Sequence, residues 1–160
     1  MTNNVSLREY LPGDMEALER YELPEGQILF SALPKEVLSE AIQDSHRYPV
    51  VIVCGESLVG FFILHEGPAI AEFTPNPQAM LLRSFSIDYR HQGQGIAKQA
   101  MLQLPEFMKS RFPGRNEIVL AVNKRNKAAQ TVYLAAGFRD EGRLIEGPIG
   151  PQHIYHLIIA

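Results

Sequence analysis

The segment that most limits how this chain can fold runs from Ala79 to Lys98. Residues Ala79–Asp88 (AMLLRSFSID) read as a central strand, and they run without a break into the loop Tyr89–Gly95. Gly93 and Gly95 then open into a helical pattern in which Ile96, Ala100, Met101, Leu104, Met108 and Phe112 share one broad apolar face. A strand, a glycine loop and an amphipathic helix in succession require a sheet with that helix packed on it. The same arrangement gathers free backbone N–H groups and the positive end of the helix dipole at one spot, which suits a phosphate. Glycine at 93 and 95 leaves those amides open to approach and allows positive φ. A plain strand–turn–helix, with glycines for tight geometry, is the alternative at this point.

The rest of the chain supplies the remaining strands and helices. Val5–Tyr10 alternates as a strand, and Asp14 is placed to cap a helix reaching Tyr21. After the break at Leu23-Pro24-Glu25-Gly26, Pro34 opens a helix with Val37, Leu38, Ala41 and Ile42 on one face. Pro49–Val53 and Leu58–Leu64 flank a short turn containing Gly55, as in a β-hairpin. Gly67–Gln78 is a loop by its prolines, and Pro105 is expected to kink the long helix or end its regular part. Glu117–Val122 is a strand, Asn126–Ala136 a helix closed by Gly137, and Phe138–Ile145 and Ile154–Ile159 are closing strands. The order is β-α-α-β-β-β-α-β-α-β-β, a mixed α/β domain.

Composition excludes several classes. The 160 residues suit one domain, 1–160, with 46% hydrophobic residues. A net charge of −3 gives no general attraction to nucleic acid or to an anionic membrane. The lone Cys54 excludes a disulfide framework and a cysteine zinc site, and the five histidines show no metal-ligand spacing, so no metal is expected. The start MTNNVSLREY has neither a basic nor an apolar leader region, and no apolar run approaches a membrane span. A cytoplasmic protein is the expectation.

Known phosphate loops discriminate further. No G-x-x-x-x-G-K-S/T run is present, and a G-x-G-x-x-G fingerprint would need glycine where Lys98 stands. Gln92-Gly93-Gln94-Gly95-Ile96-Ala97 instead matches the loop of the GNAT superfamily of acetyl-CoA-dependent N-acetyltransferases: Q or R, two residues, G, one residue, G or A. A second segment of that superfamily, N-x-x-A-x-x-x-Y-x-x-x-G-F, is matched by Asn126, Ala129, Tyr133, Gly137 and Phe138. The chain therefore resembles a GNAT domain over nearly its whole length. The resemblance implies a mostly antiparallel mixed sheet of about six to seven strands flanked by about four helices, with acetyl-CoA as cosubstrate.

The resemblance also assigns roles. Backbone groups of Phe85, Ser86 and Ile87 would meet the pantetheine arm and thioester carbonyl. Gln92, Gly93, Gln94, Gly95, Ile96, Ala97 and Lys98 would hold the pyrophosphate, and Asn126 would contact the cofactor near the pantetheine. Tyr133 would protonate the departing thiolate, as a phenol of pKa about 10 can do for a thiol of about 8.5. Many members carry a basic glutamate five residues before the asparagine, where this chain has Ala121. A water chain ordered by Asn123, by backbone carbonyls or by a carboxylate elsewhere is the substitute, the candidates being Glu22, Glu25, His65, Glu66, Glu72 and His153.

The acceptor would be a primary amine of a small molecule. Arg83-Ser84-Phe85-Ser86-Ile87-Asp88 with Gln92-Gly93 is similar to bacterial spermine/spermidine-type enzymes, which suggests a polyamine. The C-terminal part departs from that subgroup, which would carry a glutamate near Gln152-His153. Glu22, Glu25 and Phe30 in Tyr21–Pro34 are the candidate acceptor-binding residues. Two other readings stand beside this one: an acyl-CoA sensing module without turnover, and a transferase acting on protein N-terminal or lysine amines. A homodimer using the strand Ile154–Ile159 is a further expectation from the family.

Overall fold

The computed structural model describes residues 4–159. Its strands are β1 (Val5–Glu9), β2 (Arg47–Cys54), β3 (Ser57–His65), β4 (Ala79–Ile87), β5 (Glu117–Asn123), β6 (Arg139–Gly147) and β7 (Gly150–Ile158). The helices are α1 (Met15–Glu19), α2 (Glu25–Ile28), α3 (Pro34–Gln43), α4 (Ile96–Arg111) and α5 (Lys127–Ala135). The strands form one sheet in the order β1-β2-β3-β4-β5-β7-β6. Every neighbouring pair is antiparallel except β4 and β5.

Strand alternation divides the apolar residues between two faces. Val50, Ile52, Phe62, Leu64, Met80 and Leu82 pack with Ile96, Ala100, Met101 and Leu104 of α4. Val51, Phe61 and Ile63 point the other way, against Leu18 of α1 and Leu38 and Ala41 of α3. The sheet is thus covered on both sides, which accounts for the near-continuous apolar runs of β2 and β3.

Four sequence expectations are corrected. The first helix stops at Glu19, because Tyr21 and Leu23 leave the helical path to bury themselves, and the following connection holds the one-turn α2. Ile42 is exposed rather than part of the α3 core face. Helix α4 runs through Pro105 to Arg111. Proline costs about 3 kcal/mol inside a helix, and here Leu104, Phe107 and Met108 are buried around it and hold the turn together. Strand β7 begins at Gly150, not Ile154, and lies between β5 and β6. Both its edges are paired, so it offers no edge for strand pairing with a second copy.

Two local features shape the centre of the sheet. Parallel pairing of β4 with β5 extends only over Ala79↔Glu117, Met80↔Ile118 and Leu81↔Val119. Beyond Leu81 the two strands part. On the other edge of β4, Phe61 pairs with Ser86 and Ile63 with Arg83, so Ser84 and Phe85 share the place opposite Phe62. This is a β-bulge, with Ser84 at φ +59°. Gly60 lets β3 lie close by: an added Cβ would come within 2.7 Å of Ile52 Cδ1, 2.9 Å of Ile87 Cδ1 and 3.0 Å of the Ser86 carbonyl oxygen.

Candidate active site

The gap between β4 and β5 opens into two cavities. The first, about 390 Å³, is lined by Phe85, Ser86 and Ile87, by the loop residues Gln92, Gly93 and Gly95, by Ile96, Ala97 and Lys98 of α4, and by Asn126. The second, about 580 Å³, is lined by Arg83 and Ser84 of β4, Ala121 and Asn123 of β5, Glu72 and Phe73 of the preceding loop, and the β6–β7 hairpin. Consecutive residues of one bulged strand therefore line two spaces. Phe30 and Ser31 line both and form the wall between them.

The loop has the geometry of an anion cradle. Gly93 and Gly95 have φ of +77° and +78°, and an added Cβ at either would meet no protein atom within 4 Å. Backbone angle, and not crowding, therefore calls for glycine here. The opening amides of α4 have no intrahelical acceptor, and the Gln99 N–H closes onto the Gly95 carbonyl at 3.2 Å. With the dipole of a sixteen-residue helix behind them, these groups fit a pyrophosphate. The residues present thus suit coenzyme A.

Neighbouring groups hold the loop in position. Asp88 accepts from Arg90 Nη2 at 2.7 Å and from the Glu22 backbone N–H at 3.3 Å, joining loop entry to the segment after α1. Gln92 and Gln27 exchange amide hydrogen bonds at 2.8 and 3.0 Å, and Gln92 Nε2 also donates to the Ile87 carbonyl at 2.8 Å. Helix α2 is thereby tied across the cavity to the loop. Ser86 Oγ shares a 2.8 Å hydrogen bond with the buried Tyr21 hydroxyl. Asn126 caps α5 by accepting from the Ala129 N–H at 3.3 Å.

Of the residues singled out from the sequence, Gln94 and Tyr133 do not line the first cavity. Tyr133 packs behind it, its ring centroid 5.9 Å from Phe85 and 5.7 Å from Phe138. Its hydroxyl has no hydrogen-bond partner among the described residues, and burial raises its pKa, so the phenol keeps its proton. Glu22 and Glu25 are exposed and line neither cavity. Pro24 starts α2 and turns Glu25 outward, and Glu22 serves through its backbone. Phe30 does line the second cavity, and so does Glu72.

The sequence alone missed Leu23, Gln27, Ser31 and Val132, which line the first cavity. His91 ends a 3-10 turn and lines that cavity as well, its Nδ1 buried without a partner. The Ser31 hydroxyl is likewise buried and unpartnered. At the far end of β5, Glu117, Glu141 and His156 bring ligand-type atoms within 4.8 Å of one another. Sequence spacing cannot reveal that group, because three strands contribute to it. Its members already pair, with His156 Nδ1 at 2.8 Å from Glu117. No helix among the described residues is long and apolar enough to cross a membrane.

Comparison with known proteins agrees with this geometry. Residues 15–138 match the model of the acetyltransferase (GNAT) family. The chain belongs to that family. The uncharacterized N-acetyltransferase YbbJ of Bacillus subtilis (strain 168) is 45% identical over 157 residues, covering 98% of each chain. Among solved structures, the spermidine N-acetyltransferase of Vibrio cholerae in complex with CoA and spermine superimposes with a TM-score of 0.73 at 18% identity, covering 97% of this chain and 95% of that one. The aminoglycoside acetyltransferase AAC(6')-Ib in complex with coenzyme A and kanamycin gives 0.79 at 17% identity, covering 96% and 94%. At such identities the two structures share the fold. The protein is an acetyl-CoA-dependent N-acetyltransferase of the GNAT type.

Proposed function

We propose that this transferase acetylates a primary amine of a small molecule by direct attack within a ternary complex. The observation that carries the reading is the pair of cavities meeting at Phe30, Ser31 and the β4 bulge, one suited to the donor and one open to an acceptor. Acetyl-CoA supplies the activated acetyl group. A volume of about 580 Å³ lies within the span of small-molecule sites, about 300–1,000 Å³.

In this reading the loop amides and Lys98 hold the pyrophosphate, and Asn126 and the freed edge of β4 align the pantetheine arm. A β4 backbone N–H polarises the thioester carbonyl. The amine nitrogen forms the new C–N bond as the C–S bond breaks. Ala121 lines the acceptor cavity and carries no base, so the amine loses its proton to water held among Glu72, Glu146 and Asn123. Tyr133, kept protonated by burial, gives its proton toward the departing thiolate.

The test is thiol release from acetyl-CoA across amines including spermidine, simple alkylamines, amino acids, an aminoglycoside and a lysine peptide, with Tyr133→Phe in parallel. Amine-dependent release that falls at least about 100-fold in the variant is expected, the scale of one general acid. Turnover only with the peptide would favour a protein substrate. Acetyl-CoA binding with no turnover on any amine would favour a sensing module.

A further inference from the structure

The acceptor cavity holds a guanidinium without a counter-ion. Of the nine other arginines, seven lie within 3.1 Å of a carboxylate, and the two that do not, Arg125 and Arg139, are exposed to solvent. Arg83 lies within salt-bridge distance of none among the described residues. Its one hydrogen bond runs from Nη1 to His65 Nδ1 at 3.2 Å, a neutral acceptor on a buried ring. Burial and the neighbouring Arg47 both lower the pKa of Arg83, while Glu40 and Glu72 support its charge only from a distance.

A half-buried cation is normally paired. A guanidinium has five N–H donors in a planar fork, and here one is spent on an imidazole. Arg83 lines a cavity that Glu72 and Glu146 line as well. Such a space is matched by a molecule with charges of both signs and is poorly matched by a polycation.

Resting on the transfer reading above, we propose that the acceptor is an amine that carries its own oxyanion, a carboxylate or a phosphate, and that Arg83 binds this group. Arg83 immediately precedes the bulge residue Ser84. A ligand anchored there is held beside the point where the two cavities meet. Specificity then comes from β4 itself, the strand that also aligns the donor.

The experiment uses matched acceptors: L-leucine, L-phenylalanine, L-glutamate and β-alanine against their α- or terminal carboxamides, O-phosphoethanolamine against ethanolamine, and spermidine. Each is measured for turnover, and by calorimetry in the presence of CoA, with wild type, Arg83→Gln and Arg83→Lys. At least one anionic acceptor should exceed its neutral partner by about 10- to 100-fold, the scale of charge-assisted hydrogen bonding. Which pair responds separates carboxylate from phosphate. Arg83→Gln should abolish that preference through KM for the acceptor, leaving KM for acetyl-CoA unchanged, and Arg83→Lys should restore part of it. Neutral amines or spermidine performing as well as the anionic ones in wild type would overturn the proposal without any variant. Equal effects of Arg83→Gln on acids and amides would overturn it too. Arg83-dependent binding of an anionic amine without turnover would sustain the anion site while refuting the transfer reading. Absence of binding by every anionic amine at millimolar concentration would overturn the site.

Discussion

Replacing Gly95 by alanine separates the two things a positive-φ glycine does in a ligand-binding loop. At φ +78° an alanine pays the left-handed backbone penalty, about 1–2 kcal/mol, and its methyl group meets no protein atom. For a domain of this size that corresponds to a melting temperature lowered by about 2–8 °C. If Gly95 belongs to a pyrophosphate cradle, the methyl group also stands where the ligand must approach, and the amides at the start of α4 shift away. The loss of one charge-assisted hydrogen bond then raises KM for acetyl-CoA about 10- to 100-fold. Gly142 supplies the control, because it sits at φ +84° in β6 with equally open space and lies outside both cavities. Gly142→Ala should cost similar stability and leave KM untouched. Thermal melts and initial-rate kinetics on the two variants read both quantities. Equal KM changes in Gly95→Ala and Gly142→Ala would refute the cradle.

Gly60→Ala should destabilise the fold by about 1–3 kcal/mol, as overpacking does, because the added Cβ presses on Ile52, Ile87 and the Ser86 carbonyl. Denaturant melts measure this, and an unchanged midpoint would show that β3 and β4 can separate freely. His65 gives a pH signature: burial, then Arg47 and Arg83, hold its pKa below the ordinary 6.5. Below about pH 6.5 the unfolded chain takes up a proton that the folded chain refuses. The contribution of His65 is therefore full above that pH and is lost as pH falls toward the native pKa. Urea melts between pH 7.5 and 5.5 should lose stability more steeply in wild type than in His65→Gln.

The strand, loop and helix from Ala79 to Arg111 were legible because each obeys its own periodicity and the glycines fall where the backbone turns left-handed. Ala121 was equally legible, being one position in a spaced motif. Pro151 made the start of β7 look like a turn, yet its carbonyl accepts from Lys124 at 2.9 Å. A proline near the first residue of a strand need not supply an N–H. The parting of β4 from β5 leaves no mark in composition, since it depends on where two distant segments stop pairing. Arg83 was read only as part of a family-like run. Its lack of a counter-ion depends on which carboxylates the loop after β3 and the helix α3 fail to bring near. Glu22 and Glu25 misled for the opposite reason: charge beside apolar residues describes a surface turn as well as a pocket.

Phe30 is a partition between the two chambers, and it is not free-standing. The Arg125 guanidinium lies 5.9 Å from its ring centroid and donates at 3.0 Å to the Ile149 carbonyl of the β6–β7 hairpin. Any rotation of the ring enlarges one chamber at the expense of the other. Closure of the thermodynamic cycle then makes the effect mutual. The factor by which an occupied donor chamber alters affinity for the acceptor is the factor by which an occupied acceptor chamber alters affinity for the donor. One aromatic ring can in this way tie the affinity for each substrate to the presence of the other, without touching the bond that is made.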